Sequence, residues 1–489
     1  GDGERRDVSN RMKSGARGVA AAVAFAVGAS LLVACSEEGA QPAAPEEGAV
    51  ASTDFFGYLL DTTLPTSNAA SRVGASSNTE ALSGRLYPAV FVPGPSGQMI
   101  PNTDLVQTQV LPGANRQVVY TLAEDATYSD GVPVTCTDFL LHYKAGVHEG
   151  LFDSHLPQTE EVLRLDCEPG QKRFTVVFNE QAGGRWRHLF GPGTVLPAHA
   201  VAAKAGLSEQ ELHTALQTDD VVTLAEVAPI WRDGFDLASF DPQLQVTSGP
   251  FVIDRVGESG EVVLVPNEHY YGDQPNLDTI VVWPRGTDAA GLVAEDALRI
   301  ADVRTAEPTW VNRDDPTNTL DISEAVGDLT DTLMLGDQGV FGSPWARESF
   351  AACVDHRAVA EASSRISGVE VPAVGLHTLP HHDPLAPLLA EVGDAHLGTD
   401  IPRAQAMAGA TVRIGYSGPD ERKAAMVEAI RVSCEEAGIT VVDASAEAST
   451  LADVTRMGTG QWGEQVFVEG ELDAVLMAVD PMAEFGADS

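Results

Sequence analysis

Cysteine is the residue type whose placement in this chain most plainly points to chemistry. Cys35 ends an apolar run of 17 residues, Gly18 to Ala34, and Arg5, Arg6, Arg11, Lys13 and Arg17 lie before that run. A run this short, with a basic flank and small residues at its end, reads as a secretory signal over residues 1–34. The competing reading is an uncleaved anchor helix with Cys35 buried. The other four, Cys136, Cys167, Cys353 and Cys434, are an even number. In an exported chain that favours disulfides over metal sites, and none of the spacings resembles a zinc motif. Three pairings are possible. Nearness in sequence favours Cys136–Cys167 and Cys353–Cys434, each closing a loop worth roughly 3–5 kcal/mol. Buried free thiols are the alternative.

Other reactive groups point to no reaction. His377, His381, His382 and Asp383 cluster in a proline-rich stretch. No helix fixes them, so a solvated loop is expected rather than a metal site. The chain has no G-x-S-x-G, no H-E-x-x-H and no Walker loop, so no catalytic residue is nominated, no cofactor is expected and the chain is not read as an enzyme. A secreted hydrolase would need a nucleophile that the sequence does not display. The 489 residues carry 30 basic and 71 acidic side chains, a net charge of −41. That balance excludes nonspecific nucleic-acid binding, which needs a basic surface. A hydrophobic content of 44% excludes wholesale disorder. The length calls for more than one lobe, and a single apolar stretch excludes a multi-span permease.

The elements that must position any site follow from periodicity. Residues 36–52 hold no large apolar side chain beyond Val50 and read as a flexible tether. Val118 to Leu122 and Phe174 to Phe178 read as strands. Tyr128-Ser129-Asp130-Gly131 is a turn, and Thr135 to Gly146 a helix with Phe139, Leu140 and Tyr143 on one face. Strands are expected at Phe251 to Val256, Val262 to Val265 and Thr279 to Trp283. Beyond about 290, helices and strands alternate. Ser343-Pro344 starts a helix expected to carry Phe350, Cys353, Val354 and Ala358 on one face. A strand at Thr411 to Tyr416 is followed by a helix bearing Met426, Val427, Ile430 and Cys434, which Gly438 ends, and the next strand is Ile439 to Val442. Asp473 to Val479 is the last strand.

Several segments resemble known families. Leu32-Val33-Ala34-Cys35 resembles the lipobox of bacterial lipoproteins, which implies a diacylglyceryl group on Cys35 and cleavage before it. YSDGVPVTCTDFLLHY, Tyr128 to Tyr143, resembles a signature of family 5 extracellular solute-binding proteins, the oligopeptide, dipeptide and nickel class, with Cys136 in place of the usual Ala. Ser248 to Val282 resembles a second signature, with Gly249, Pro250, Asn267, Tyr270, Gly272, Pro275, Leu277, Asp278 and Ile280 in register. Leu196 to His199 and Phe350 to Val359 resemble two more, the last with a His inserted before Arg357. Structural duty in turns and packing accounts for most of these residues.

The resemblance implies a two-lobed α/β fold of the periplasmic-binding-protein type, large peptide-binding class, with mixed sheets and a hinge. Its expected divisions are a first lobe at 53–288, a second at 289–480, and the start of a return segment, cut short, at 481–489. It also implies a lipid-anchored, extracytoplasmic receptor on the cell membrane, monomeric, that binds a peptide or other small amine-bearing solute and serves the permease subunits of an ABC importer. In peptide-binding relatives an Asp after the strand of the second lobe holds the ligand's α-amino group. Here Asp473 matches the strand's start, Val479 stands where a Trp would be, and Asp480 arrives early, so Asp480 is the ligand-binding candidate against a plain strand-end turn. The alternative function is a non-transport lipoprotein of the same fold that regulates cell-envelope lipoglycan synthesis, as in some actinobacterial members.

Overall fold

Three sheets organise the computed structural model, which describes residues 54–486. Cys35, the signal segment and the tether lie outside the described residues. The first sheet is mixed, in the order Ile300–Ala301, Phe56–Leu59, Ile280–Trp283, Val262–Pro266, Phe251–Val256. Phe56–Leu59 runs parallel to both its neighbours, and the remaining pairs are antiparallel. The second sheet is wholly antiparallel, in the order Val106–Leu111, Gln117–Leu122, Arg173–Phe178, Val162–Asp166. The third is mixed, in the order Thr330–Leu335, Ala474–Val479, Thr411–Gly415, Thr440–Asp443.

The first two sheets share one core, which makes the first lobe. Its centre is aromatic: Tyr120 stacks on Phe174 at 4.7 Å, and Phe139 meets Phe190 edge-on at 4.9 Å. All four rings are buried, each worth about 2–3 kcal/mol by burial. The helix Cys136–Val147 lies on them and starts with a reciprocal lock. The Asp138 carboxylate accepts from the Thr135 N–H at 2.9 Å and, at 2.8 Å, from the N–H of Ala198, which opens the helix Ala198–Lys204. Burial pushes this carboxyl up to about 8. On the same helix His142 is buried, with Nδ1 3.1 Å from the Thr194 carbonyl, and burial pushes its ring down to about 4.

The third sheet carries the second lobe. Its strand Ala474–Val479 is buried on both faces, which explains its unbroken apolar run. Ala474 and Leu476 pack with Phe350, Met426 and Ile430, whereas Val475, Met477 and Val479 pack with Leu451 and Val454. The cysteines pair as Cys136–Cys167 in the first lobe and Cys353–Cys434 in the second. No helix among the described residues is long and apolar enough to cross a membrane.

Two expectations differ from the structure. The helix from Pro344 does not run through Ala358; it stops at Ala351 and a second helix spans His356–Ser367. Asp355 makes the break, because its carboxylate accepts from the Ala358 N–H at 3.1 Å and so caps the second helix. Residues 289–301, expected in the second lobe, lie with the first. The helix Ala289–Ala294 packs on Trp283, and Ile300–Ala301 pairs with Phe56–Leu59. An apolar segment beside an open sheet edge completes that sheet before the chain crosses over.

Candidate functional site

The two cores meet along a polar seam. Its first-lobe wall begins with the short helix Arg72–Ser76, capped by Ser71, whose hydroxyl accepts from the Gly74 N–H at 3.0 Å. Gly74 is there because the helix touches the preceding turn: a Cβ at this position would lie 1.8 Å from the Asn68 carbonyl oxygen. Asn68 in turn donates to the carbonyl of the buried Trp231 at 2.8 Å. The wall is thus fixed to the first core.

From this wall Arg72 reaches across. Its Nη1 donates to Asp153 at 3.0 Å and to the Thr455 carbonyl at 2.9 Å, and its Nη2 to the Leu451 carbonyl at 2.5 Å and the Thr455 hydroxyl at 2.7 Å. The guanidinium lies 4.8 Å from the centroid of Phe467. Beside it the Leu451 N–H donates to the Ser76 hydroxyl at 2.8 Å. Asn78 donates to the Ala478 carbonyl at 3.0 Å.

Asp480 sits where the sequence places it, at the seam end of the strand Ala474–Val479. Its carboxylate caps the turn Pro481–Glu484, accepting from the Met482 N–H at 3.0 Å, and its other oxygen lies 3.9 Å from His188 Nδ1. The side chain keeps 47% of its surface exposed, so the cap does not use it up. Burial raises the neighbouring Glu80 carboxyl, and the Asp480 charge adds to that shift. Burial lowers His188, and Asp480 opposes that shift. The short turn then docks on the first lobe. His155 Nε2 lies 2.7 and 2.9 Å from the two Glu484 oxygens, Gln158 donates to the Met482 carbonyl at 3.3 Å, and Arg185 to the Pro481 carbonyl at 3.2 Å. At the other edge of the seam Arg285 donates to the Ser417 carbonyl at 2.8 Å and lies 3.8 Å from Asp420.

Several of these residues are absent from the sequence reading: Arg72, Asn78, Glu80, Asp153 and His155. One signal could have found the first, since Arg72 is a lone charge in the small-residue stretch SNAASRVGASS. Of the 377–383 loop, His377 packs edge-on against Phe485, just beyond the turn Pro481–Glu484, at 4.6 Å, while His381 and His382 face the stretch at Gly327 and Asp328. His381 Nε2 is 3.0 Å from the Gly327 carbonyl, and His382 Nδ1 is 3.6 Å from Asp328. Among the described residues no group of three His, Cys, Asp or Glu is placed to hold a metal ion. Asp473 is not a free acid either: buried beneath the sheet edge, it takes Arg413 Nε at 3.0 Å and Nη2 at 3.0 Å. A trough of about 1330 Å³, lined by Leu333, Leu335, Phe350, Met426 and Leu476, lies in the second lobe on the face of its sheet away from Leu451.

Chemically, the carboxylates of Glu80, Asp480 and Glu484 stand at the seam together with the imidazoles of His155 and His188 and backbone carbonyls, a set that accepts hydrogen bonds and favours cations.

Residues 113–478 match the bacterial extracellular solute-binding proteins, family 5 Middle. An uncharacterized lipoprotein of Mycobacterium bovis is 27% identical over 439 residues, 86% of this chain and 73% of that protein. The oligopeptide-binding protein OppA of the same organism is 24% identical over 295 residues, 56% of this chain and 43% of that one. The oligopeptide-binding protein of Thermus thermophilus, solved with a pentapeptide, superposes with a TM-score of 0.53 at 14% identity, over 80% of this chain and 73% of that one.

Proposed function

The chain belongs to family 5 of the bacterial extracellular solute-binding proteins, and from that premise we propose that it is a lipid-anchored receptor that closes its lobes on a peptide or similar amine-bearing solute and presents it to an ABC permease. It is a binding protein rather than an enzyme. The observation that carries the ligand class is the seam's carboxylate set, with Asp480 half-exposed at the end of the second-lobe strand. A cleft between lobes lowers the dielectric around such a carboxylate and strengthens its hold on an ammonium group. The net charge of −41 opposes a free anionic solute, although salt screens that repulsion beyond about 8 Å. The oligopeptide-binding relative supports the same class.

Calorimetry of full-length protein against peptide libraries tests this reading. Binding is expected, and Asp480→Asn is expected to weaken it about tenfold, the loss of one charge-assisted hydrogen bond at 1.4 kcal/mol per decade. Tight binding unchanged by Asp480→Asn removes Asp480 from the site. The displaced Asp and the Val479 in place of a Trp favour the second reading, a non-transport lipoprotein regulating cell-envelope lipoglycan synthesis, and the absence of any peptide binding would support it.

Anchoring is tested separately. The basic segment, the short apolar run and Leu32 to Cys35 support a lipid on Cys35. Cys35→Ala is expected to release the protein into the medium or leave it unprocessed. An unmodified Cys35 in the mass spectrum of the mature wild-type protein would remove the anchor.

A further inference from the structure

We infer that the seam contains a guanidinium-binding site whose built-in occupant is Arg72, and that this occupancy holds the lobes together with no solute present. The inference rests on the closing-lobe reading and adds to it the residue that sets closure.

The geometry is that of a receptor for a planar fork. Each terminal nitrogen of Arg72 meets two acceptors: Asp153 and the Thr455 carbonyl for one, the Leu451 carbonyl and the Thr455 hydroxyl for the other. The Phe467 ring lies 4.8 Å from the guanidinium carbon, within the range of a cation–π contact. Only Asp153 belongs to the lobe that carries Arg72. The three other acceptors and the ring belong to the second lobe, so opening would strip the cation of all of them at once. The residue is 6% exposed, and Thr455 is equally buried. Desolvated, charge-assisted bonds of this kind are the strong ones. An ammonium on a Lys stem could not serve both pairs of acceptors, because it offers a point charge instead of a fork.

A partly buried carboxylate with two carbonyls, a hydroxyl and a ring above is also what a free guanidinium would need. The site is therefore a chemical entity apart from the side chain that fills it. It ties closure to one cation of the protein itself, and it leaves Asp480 and Glu80, farther along the seam, for a solute.

The Leu451 amide reports the state of the seam, because its N–H is donated across it to Ser76. Hydrogen exchange is measured on the full chain in the absence of solute, so the result does not depend on whether peptides bind. In the wild type the Leu451 amide is expected to be protected. In Arg72→Ala it is expected to exchange at least tenfold faster, while the amides of Val176 and Leu476, inside the two cores, keep their rates. Guanidinium at about 20 mM is expected to restore protection in Arg72→Ala, whereas urea at the same concentration is not. Arg72→Lys is expected to fall between. An unchanged Leu451 rate in Arg72→Ala overturns the inference. Faster exchange that guanidinium does not reverse overturns it as well, since the alanine variant would then have lost packing and not an occupied site. Faster exchange throughout both cores has the same consequence.

Discussion

Asp138→Ala is expected to cost the first lobe about 3–5 kcal/mol, because two buried backbone N–H groups, those of Thr135 and Ala198, lose their acceptor together. The two groups open the helices Cys136–Val147 and Ala198–Lys204, so one carboxylate positions both on the aromatic core. The readout is denaturant unfolding followed by the fluorescence of Trp231 and Trp186, which are 0% and 5% exposed in this lobe. A second signature separates a buried carboxyl from a simple cap. Folded Asp138 has its pKa raised to about 8 by burial, above the value near 4 of an unfolded chain. A raised carboxyl pKa means that the folded lobe prefers the protonated form. Its contribution is complete below about pH 4 and is lost as pH rises through about 8.

His142 works in the other direction. Its pKa is lowered to about 4, so its contribution is present above about 6.5 and lost as pH falls. Asp236, raised to about 6 by burial, completes most of its titration below the same point. Between pH 6.5 and 8, therefore, the Asp138 contribution is expected to fall by about 2 kcal/mol, against a gain from the lowered histidines His142, His188, His213 and His356 as their unfolded forms lose protons. Asp138→Asn, which keeps one acceptor and cannot ionise, is expected to lack that fall, so wild-type stability drops by about 2 kcal/mol relative to it across the window. Equal slopes in the two proteins would show that Asp138 is already ionised in the folded lobe.

Local grammar explains which parts of this molecule were legible in its sequence. Gln117–Leu122 and Arg173–Phe178 alternate or run apolar, and Gly438 follows an apolar helical face; each signal depends on neighbours within a turn or two. The cysteine pairing was legible for a similar reason, since few partners existed. The helix break at Asp355 was missed because its apolar spacing of three and four residues continued through it, and the cap that competes with that spacing is a single side chain. The seam was largely illegible. Arg72 lies 379 residues from Leu451, and what it recognises there is mostly backbone carbonyl, which every residue type carries. A sequence records the donor, but the acceptor appears only when the fold brings it into place. Asp480 could be located because it ends a strand, whereas its capping of Pro481–Glu484 and its approach to His188 depend on how that strand is set against the first lobe.

The second large effect is expected at the bridge of the second lobe. Cys353 follows the helix Pro344–Ala351 and Cys434 lies near the end of the helix Glu421–Glu435, and both are 0% exposed among Phe350, Met426 and Ile430. The bridge closes a sequence separation of 81, against 31 for Cys136–Cys167. Chain entropy assigns about 4–5 kcal/mol to the longer loop and about 1 kcal/mol less to the shorter. Replacing both members by Ala leaves no buried hydroxyl to confuse the result. Cys353→Ala with Cys434→Ala is therefore expected to destabilise its lobe more than Cys136→Ala with Cys167→Ala destabilises the first. The disparity is sharpened by core size, because the second lobe packs far fewer buried side chains than the first and has less to fall back on. Hydrogen exchange at Val412, Ile414 and Leu476 for one lobe, and at Val118 and Val176 for the other, measures each loss in place. Reduction of the wild-type protein with dithiothreitol should reproduce the order, with the second-lobe amides released at lower denaturant. Equal and small losses in both pairs, or free thiols at these positions in a non-reducing peptide map, would mean that packing alone holds the helices Pro344–Ala351 and Glu421–Glu435 together. The bridge lies in the core that backs the strand Ala474–Val479, and the other face of that strand packs against Leu451, whose carbonyl receives Arg72.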